Sequence, residues 1–560
     1  MKNKKGFTLV ELLAVIAILA ILVIIALPNV LNMYTKAKKE TFLTETKGIA
    51  KDVFSKYMSE NMKGNNISTI SNNKNPLDLS GRELEYNFEI DNQGKIKNLF
   101  VSDGTYCIST NKDYNELTIE DVSEECSYEK LHNIAGTLTK DFYEVSGRTD
   151  RSLVDSIEFY SDGRTIEGAE SYDVSEKKDD SIKMYVSKNS TNSLYVDLTI
   201  VANGKIAFPK NSTGLFDFTF STCIGPISNL KNIKFNNSID TSRVQNMSYM
   251  FFYVEATTLD LSSFDTSNVT DMSYMFAFSQ ATTLDVRNFD TSKVTNMGSM
   301  FFYSKATALD LSNFDTSNVT NMYGMFNNSK ATTIDLSSFD TSKVTDMRYM
   351  FQTSQVTTLD VRNFDTSKVT NMRGMFASST VTTLDLSSFD TSNVTDMSSM
   401  FYGSKVKTLD LSNFDTSNVT DMNSMFYHSQ ATSLDLSNFD TSNVTNMSDM
   451  FRSTNVTTID LRNFDTSKVT NMQQMFYDSK ATTIDLSSFN ISKVTNMFYM
   501  FAYSKATTLD LSSFDTSNVD DMRYMFAYSK ATTGYARTQT DADRFNATSN
   551  KPSALTFVVK

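Results

Sequence analysis

Three textures follow one another along the chain. Phe7 to Leu27 is apolar except for Thr8 and Glu11, and no charge appears from Leu12 to Thr35. Apolar residues then recur at helical spacing through Met33, Ala37, Phe42, Ile49, Val53 and Tyr57 to Met62. This predicts one helix over 7–62, about 80 Å long at 1.5 Å per residue. About 20 apolar residues cross a bilayer core, so residues 7–35 are expected in a membrane. Lys2, Lys4 and Lys5 place the preceding end in the cytoplasm. Over 63–149 the period changes to two. Glu83–Ile90 and Lys95–Val101 alternate around Asp91–Gly94, which predicts a hairpin in a small α/β head. Residues 150–238 read as a β-rich cap, with Asp162-Gly163 and Asn203-Gly204 as hairpin signals between apolar runs. Such a cap is expected to cover the open edge of the array that follows.

From 239 to 528 the sequence repeats every 25 residues. A Phe at every 25th position from Phe264 to Phe514 marks eleven copies, and Ile239 marks a degenerate earlier one. Leu259 and Leu261 alternate like a short inward-facing strand that Phe264 closes. Val269, Met272, Met275 and Phe276 recur at three and four, which predicts one or two helical turns. Asp265-Thr-Ser-Asn268 turns the chain between them by side-chain bonds to the backbone. One copy cannot bury its apolar edge alone, so the copies are expected to stack into one core. Residues 529–560 form the closing cap.

Composition narrows the chemistry. The chain has 560 residues, a net charge of −13 and a pI near 4.9. It carries no basic block, so nucleic acid is not expected on the array. The 29 Met are a repeat property, since two per copy over twelve copies supply 24. His132 and His428 stand far apart, as do Cys107, Cys126 and Cys223, which gives no metal site at ordinary spacing and no cofactor. No catalytic constellation is visible, and the chain is not expected to be an enzyme. Cys107 and Cys126 are expected to form a disulfide, with two buried thiols as the alternative.

Stacking would align Asp260, Asp285, Asp310, Asp335, Asp360, Asp385, Asp410, Asp435, Asp460, Asp485 and Asp510 into a column, and Asp265, Asp290 and their successors into a second. The column reads either as a cation- or basic-partner-binding face or as a solvated row of capping aspartates. An aromatic stripe (Phe252, Tyr253, Phe302, Tyr303, Tyr402, Tyr427, Tyr477, Tyr503, Tyr528) reads either as part of the core or as a binding surface.

Two resemblances organise these features. Gly6-Phe-Thr-Leu-Val-Glu11-Leu-Leu13 resembles the type IV prepilin leader junction. The resemblance implies that a prepilin peptidase removes residues 1–6 after Gly6, that Phe7 is N-methylated, and that Glu11 docks on other pilins. The unit Asp-Thr-Ser-Asn-Val-Thr-Asp-Met-x-x-Met-Phe resembles BspA-type leucine-rich-repeat surface proteins of bacteria. Phe264 stands where the leucine-rich frame has Asn, so Asp265 or Thr266 is expected to replace the usual Asn ladder. The expected fold class is α+β and multi-domain: a long N-terminal pilin-like helix with a small β-region, then a leucine-rich-repeat-like solenoid of about 12 copies of 25 residues. The expected function is a cell-surface, pilin-like protein that presents the solenoid for adhesion or protein–protein interaction, toward a host, matrix or cell-surface ligand. The alternative is a minor pilin or pseudopilin of a pilus, type II secretion or DNA-uptake machine, with the array as tip or spacer. Either places the protein at the bacterial surface, membrane-anchored or in a pilus.

Overall fold

The structure is a computed structural model. It describes residues 9–560 apart from 64–66, 72–75, 78, 80–83, 92, 104, 111, 124–133, 148–150 and 223–224; side chains are described from Met33, and not at 85, 98, 109 and 220–227. The chain divides into two units, Met1–Ala135 and Gly136–Lys560.

In the first unit, α1 (Leu9–Met62) buries Phe42, Ile49, Ala50, Val53 and Tyr57. These positions share one helical face. They pack on a sheet of order β1 (Thr69–Ser71), β2 (Glu85–Ile90), β3 (Ile96–Ser102), β4 (Cys107–Thr110), antiparallel throughout. Phe88 lies opposite Leu99, and both are buried in the same core as the helix face. Gly94 closes the β2–β3 turn at φ +82°, and a Cβ there would lie 2.9 Å from the Tyr57 ring. Only glycine fits this contact. Among the described residues, no helix is long and apolar enough to cross a membrane. The span expected over 7–35 falls, up to residue 32, outside the described side chains.

The second unit begins with a short sheet and a larger one. β6 (Val154–Tyr160), β7 (Glu170–Asp173), β8 (Ile182–Lys188), β9 (Val196–Ala202) and β13 (Asn232–Lys234) form a sheet of order β13-β6-β9-β8-β7. β10 (Lys205–Ala207) lies between β5 (Ile134–Thr137) and β14 (Ile239–Asp240), and β11 (Phe220–Thr222) pairs with β12 (Gly225–Ile227). The two expected hairpins do not form. β6 runs parallel to β9, and β10 leaves the sheet of β9 to pair in parallel with β14, Ile206 opposite Ile239. Asn203-Gly204 thus redirects the chain between two sheets, with Gly204 at φ +123°. The last strand of this region starts the repeat ladder.

In the repeats the strands are short: β15 (Thr258–Leu259), β16 (Thr283–Leu284), β17 (Ala308–Asp310), β18 (Thr333–Asp335), β19 (Thr458–Asp460), β20 (Thr483–Asp485) and β21 (Thr508–Leu511). They pair in parallel one copy apart, Thr258 with Thr283 and Asp310 with Asp335. The Met-Phe segment is not helical. Tyr249 and Tyr253 have φ of +56° and +54°, and the corresponding pair recurs in every copy through Tyr524 and Tyr528. Two left-handed residues four apart cannot sit in an α-helix. Instead, alternate N–H groups point along the ladder. Met247, Tyr249, Phe251 and Tyr253 donate to carbonyls of Asp271, Ser273, Met275 and Ala277 in the next copy at 2.9–3.0 Å, while Met250 and Phe252 close tight turns on Met247 and Tyr249. The segment is a chain of β-turns in which every second amide joins the neighbouring copy.

This overturns the expected fold class. The described residues hold two α-helices, α1 and α2 (Gln539–Asn546), and otherwise mostly small strands spread over eight small sheets. Among the described residues there is no closed barrel and no strand-plus-helix unit of a leucine-rich-repeat solenoid. The spacing at three and four misled because a run of β-turns also brings residues i, i+3 and i+4 to one side.

Burial of Leu, Val, Met and Phe holds the copies together. Met272, Met275 and Phe276 are fully buried. The rings of Phe216, Phe251, Phe276 and each successor through Phe526 stack at 5.4–6.1 Å and within 14° of parallel. Such offset contacts add to burial alone. A buried threonine column runs beside them. Thr266 donates to the Asp290 carbonyl at 2.9 Å and Thr316 to that of Asp340 at 2.8 Å. At the last rung Asp541, buried on α2, accepts from the Thr516 amide and hydroxyl at 3.0 and 2.7 Å, in place of a further repeat. β22 (Thr533–Ala536) and β23 (Thr556–Val559) continue the parallel sheet, and the Asn546 amide pairs both the N–H and the carbonyl of Phe557 at 3.0 Å. This covers the open strand edge.

Candidate processing site and surface columns

Gly6 and Phe7 lie outside the described residues. Glu11 lies on α1, but its side chain is also outside them. Cys107, buried at the start of β4, is disulfide-bonded. Cys126, its expected partner, lies outside the described residues.

The Asp260 column comes together at the strand edge, and its carboxylates are used locally. Asp260 accepts from the amide and hydroxyl of Ser262 at 3.0 and 2.6 Å. Asp310 does the same with Ser312 at 3.2 and 2.7 Å. Where Arg replaces Ser, the contact is bidentate: Arg287 on Asp285, Arg362 on Asp360 and Arg462 on Asp460. The side-chain hydrogen bond from each arginine, reinforced by its backbone amide, lowers these three carboxyls to about 2. The serine hydroxyl and amide hold Asp260, Asp385, Asp410 and Asp435 below the ordinary range. Thus the column that repulsion would destabilise is held by turn bonds within each copy.

The aromatic stripe is one of several columns on the turn segment. Tyr249 stacks on Tyr274 at 4.6 Å, Tyr253 on Phe278 at 4.3 Å, and Phe278 on Tyr303 at 4.9 Å. Arg452 lies 4.7 Å from the ring centres of both Tyr427 and Tyr477. A further column escaped the sequence reading. The Asn or Asp before each first Met bridges in parallel from Asn246 and Asp271 through to Asp521. Asp396 and Asp421 are neighbours in it, and burial, then the Asp396 charge, push the Asp421 carboxyl up. An Asn or Asp at that place in every copy was the available signal.

Comparison with known proteins gives two matches. Residues 1–27 match the prokaryotic N-terminal methylation motif. Residues 220–338, 277–387, 328–439 and 428–537 match the family described as "Mycoplasma protein of unknown function, DUF285". No curated protein and no solved structure matches the chain. The motif and the repeats together mark a pilin-like surface protein with repeats. The repeat matches run over more than half of the chain, so it belongs to the DUF285 family. The motif implies processing by a prepilin peptidase and pilin assembly.

Proposed function

We propose that this is a non-enzymatic surface protein that a prepilin peptidase cuts after Gly6, and that it presents its repeat ladder to other proteins or cells as an adhesive face. The methylation motif over residues 1–27 carries this reading. Glu11, four residues beyond Phe7, would pair with the Phe7 amine of a neighbouring subunit, since a carboxylate in an apolar helix needs a partner. The resemblance of the repeat unit to BspA-type surface proteins supports adhesion. So does the commitment of the column carboxylates to turn bonds, which leaves them to hold shape rather than to exchange protons.

A second reading rests on the same motif: a minor pilin or pseudopilin whose ladder is a tip or spacer. Glu11→Val separates docking from insertion. The variant should still reach the envelope but be absent from sheared filaments, and normal incorporation would refute the docking role.

A further inference from the structure

The two sides of the repeat ladder differ in charge. The strand side carries the Asp260 and Asp265 columns, 21 carboxylates between residues 260 and 515, against Arg287, Arg362 and Arg462 paired within the first column and Lys293, Lys343, Lys368, Lys468 and Lys493 beside the second, so it stays acidic. Asp310, Asp335, Asp385, Asp410 and Asp435 are exposed. The turn side carries tyrosines, Arg373 and Arg523, and at its margin Lys305, Lys330, Lys405, Lys480, Lys505 and Lys530, the same position in six copies. Four of these lysines are exposed and the other two half-buried. The acids on that side, such as Asp346 and Asp421, are half-buried. The Phe core lies between the two sides, with Phe251 of the turn segment 5.9 Å from Phe264 of the strand segment.

We infer that the ladder binds a second copy of itself, the acidic strand side of one chain against the lysine- and tyrosine-bearing turn side of another. The inference rests on the surface-display reading and names its partner. Spacing is the main argument. Carboxylates recur once per rung, about every 4.8 Å, the lysines fall on six of the rungs, and a long face gains most from such rows against a partner of the same pitch. Another copy has that pitch. Single exposed ion pairs contribute little, but a commensurate row engages them together.

The tyrosines supply the second argument. Tyr303, Tyr503 and Tyr528 sit at φ +53°, +59° and +56°, where other copies use Gly403 or Asn328. The backbone does not ask for a bulky ring at a left-handed position, and strain of this kind collects at functional surfaces. These three rings are 44%, 39% and 58% exposed. Tyr503 and Tyr528 stack at 5.0 Å, so they are ordered before any contact. A glycan would need free ring faces, whereas Phe278 has Tyr253 and Tyr303 stacked on it. Ring edges and phenol hydroxyls remain, which suit a protein surface.

The test is sedimentation velocity of the full chain in detergent from 20 to 500 mM NaCl. Four forms are compared: wild type, Glu11→Val, the sextuple variant Lys305→Glu, Lys330→Glu, Lys405→Glu, Lys480→Glu, Lys505→Glu and Lys530→Glu, and Tyr503→Ser with Tyr528→Ser. Folding of each is checked by its melting curve. We expect low-salt self-association that weakens at least tenfold by 500 mM NaCl, persists in Glu11→Val, and falls at least tenfold in the lysine and tyrosine variants. A chain that is monomeric at every salt overturns the inference. So does association lost in Glu11→Val alone, or association unchanged in a folded lysine variant. Prepilin processing is read separately from the N-terminal mass, so a failure here leaves that reading standing.

Discussion

At Gly374 the chain takes φ +60°, a place that Tyr349 and Ser399 fill one copy before and after. A Cβ at Gly374 would lie 2.6 Å from Cδ1 of Tyr349. Gly374→Ala is therefore expected to cost about 1–2 kcal/mol from the left-handed backbone alone, plus the displacement of the Tyr349 ring. Chemical denaturation checks this, and an unchanged midpoint would contradict the turn geometry. Thr316 poses the opposite question, because its side chain is buried and joined twice. Its hydroxyl donates to the Asp340 carbonyl and accepts from the Asp340 amide, both at 2.8 Å. Thr316→Val keeps the shape but strands both groups, at about 1–3 kcal/mol. One native copy holds Ile491 at this position, so the ladder survives a single missing hydroxyl. The expected result is a less stable but folded chain, and equal stability would show that the threonine column contributes only volume.

At the scale of elements, much of the repeat was legible and its turn segment was not. Leu259, Leu261 and Phe264 read as one inward edge, and all three are buried. Thr266, one of two residues considered as a substitute for the Asn ladder, makes the bond to the next copy. The Met-Phe segment was misread because apolar spacing reports which residues face the core and carries no sign of φ. Gly324, Gly374, Gly403 and Asn328 were the usable hint, since these residue types mark left-handed positions. The Asp260 column was legible as a column, but its bonds to Ser262 and Arg287 were hidden in the residue two ahead.

Those bonds give the elements a pH signature. A folded pKa below the unfolded value adds stability above the unfolded value, about 3.9. That stability is lost as pH falls through the folded value, near 2 for Asp285, Asp360 and Asp460. Asp421, raised by burial, works in the opposite sense and is relieved as pH falls. So do Asp217 and Glu255, also raised by burial, and the lowered carboxyls outnumber all three. Melting temperature should stay level from about pH 7 to 5 and drop between about pH 4 and 2. A melt that does not change at pH 2 would mean that the turn bonds do not hold the column.

For the whole molecule, two signals at opposite ends of the chain carry the account: a processing motif over residues 1–27 and repeats matched over residues 220–537. The repeats were legible from their period, and the motif from Gly6, Phe7 and Glu11. What the ladder holds out was not legible, because the charge of its two sides depends on which residues the turns place outward. The decisive measurement is the mass of the N-terminal peptide of protein sheared from the cell surface. The account predicts a chain that begins at N-methylated Phe7. A peptide that still begins at Met1 would contradict it.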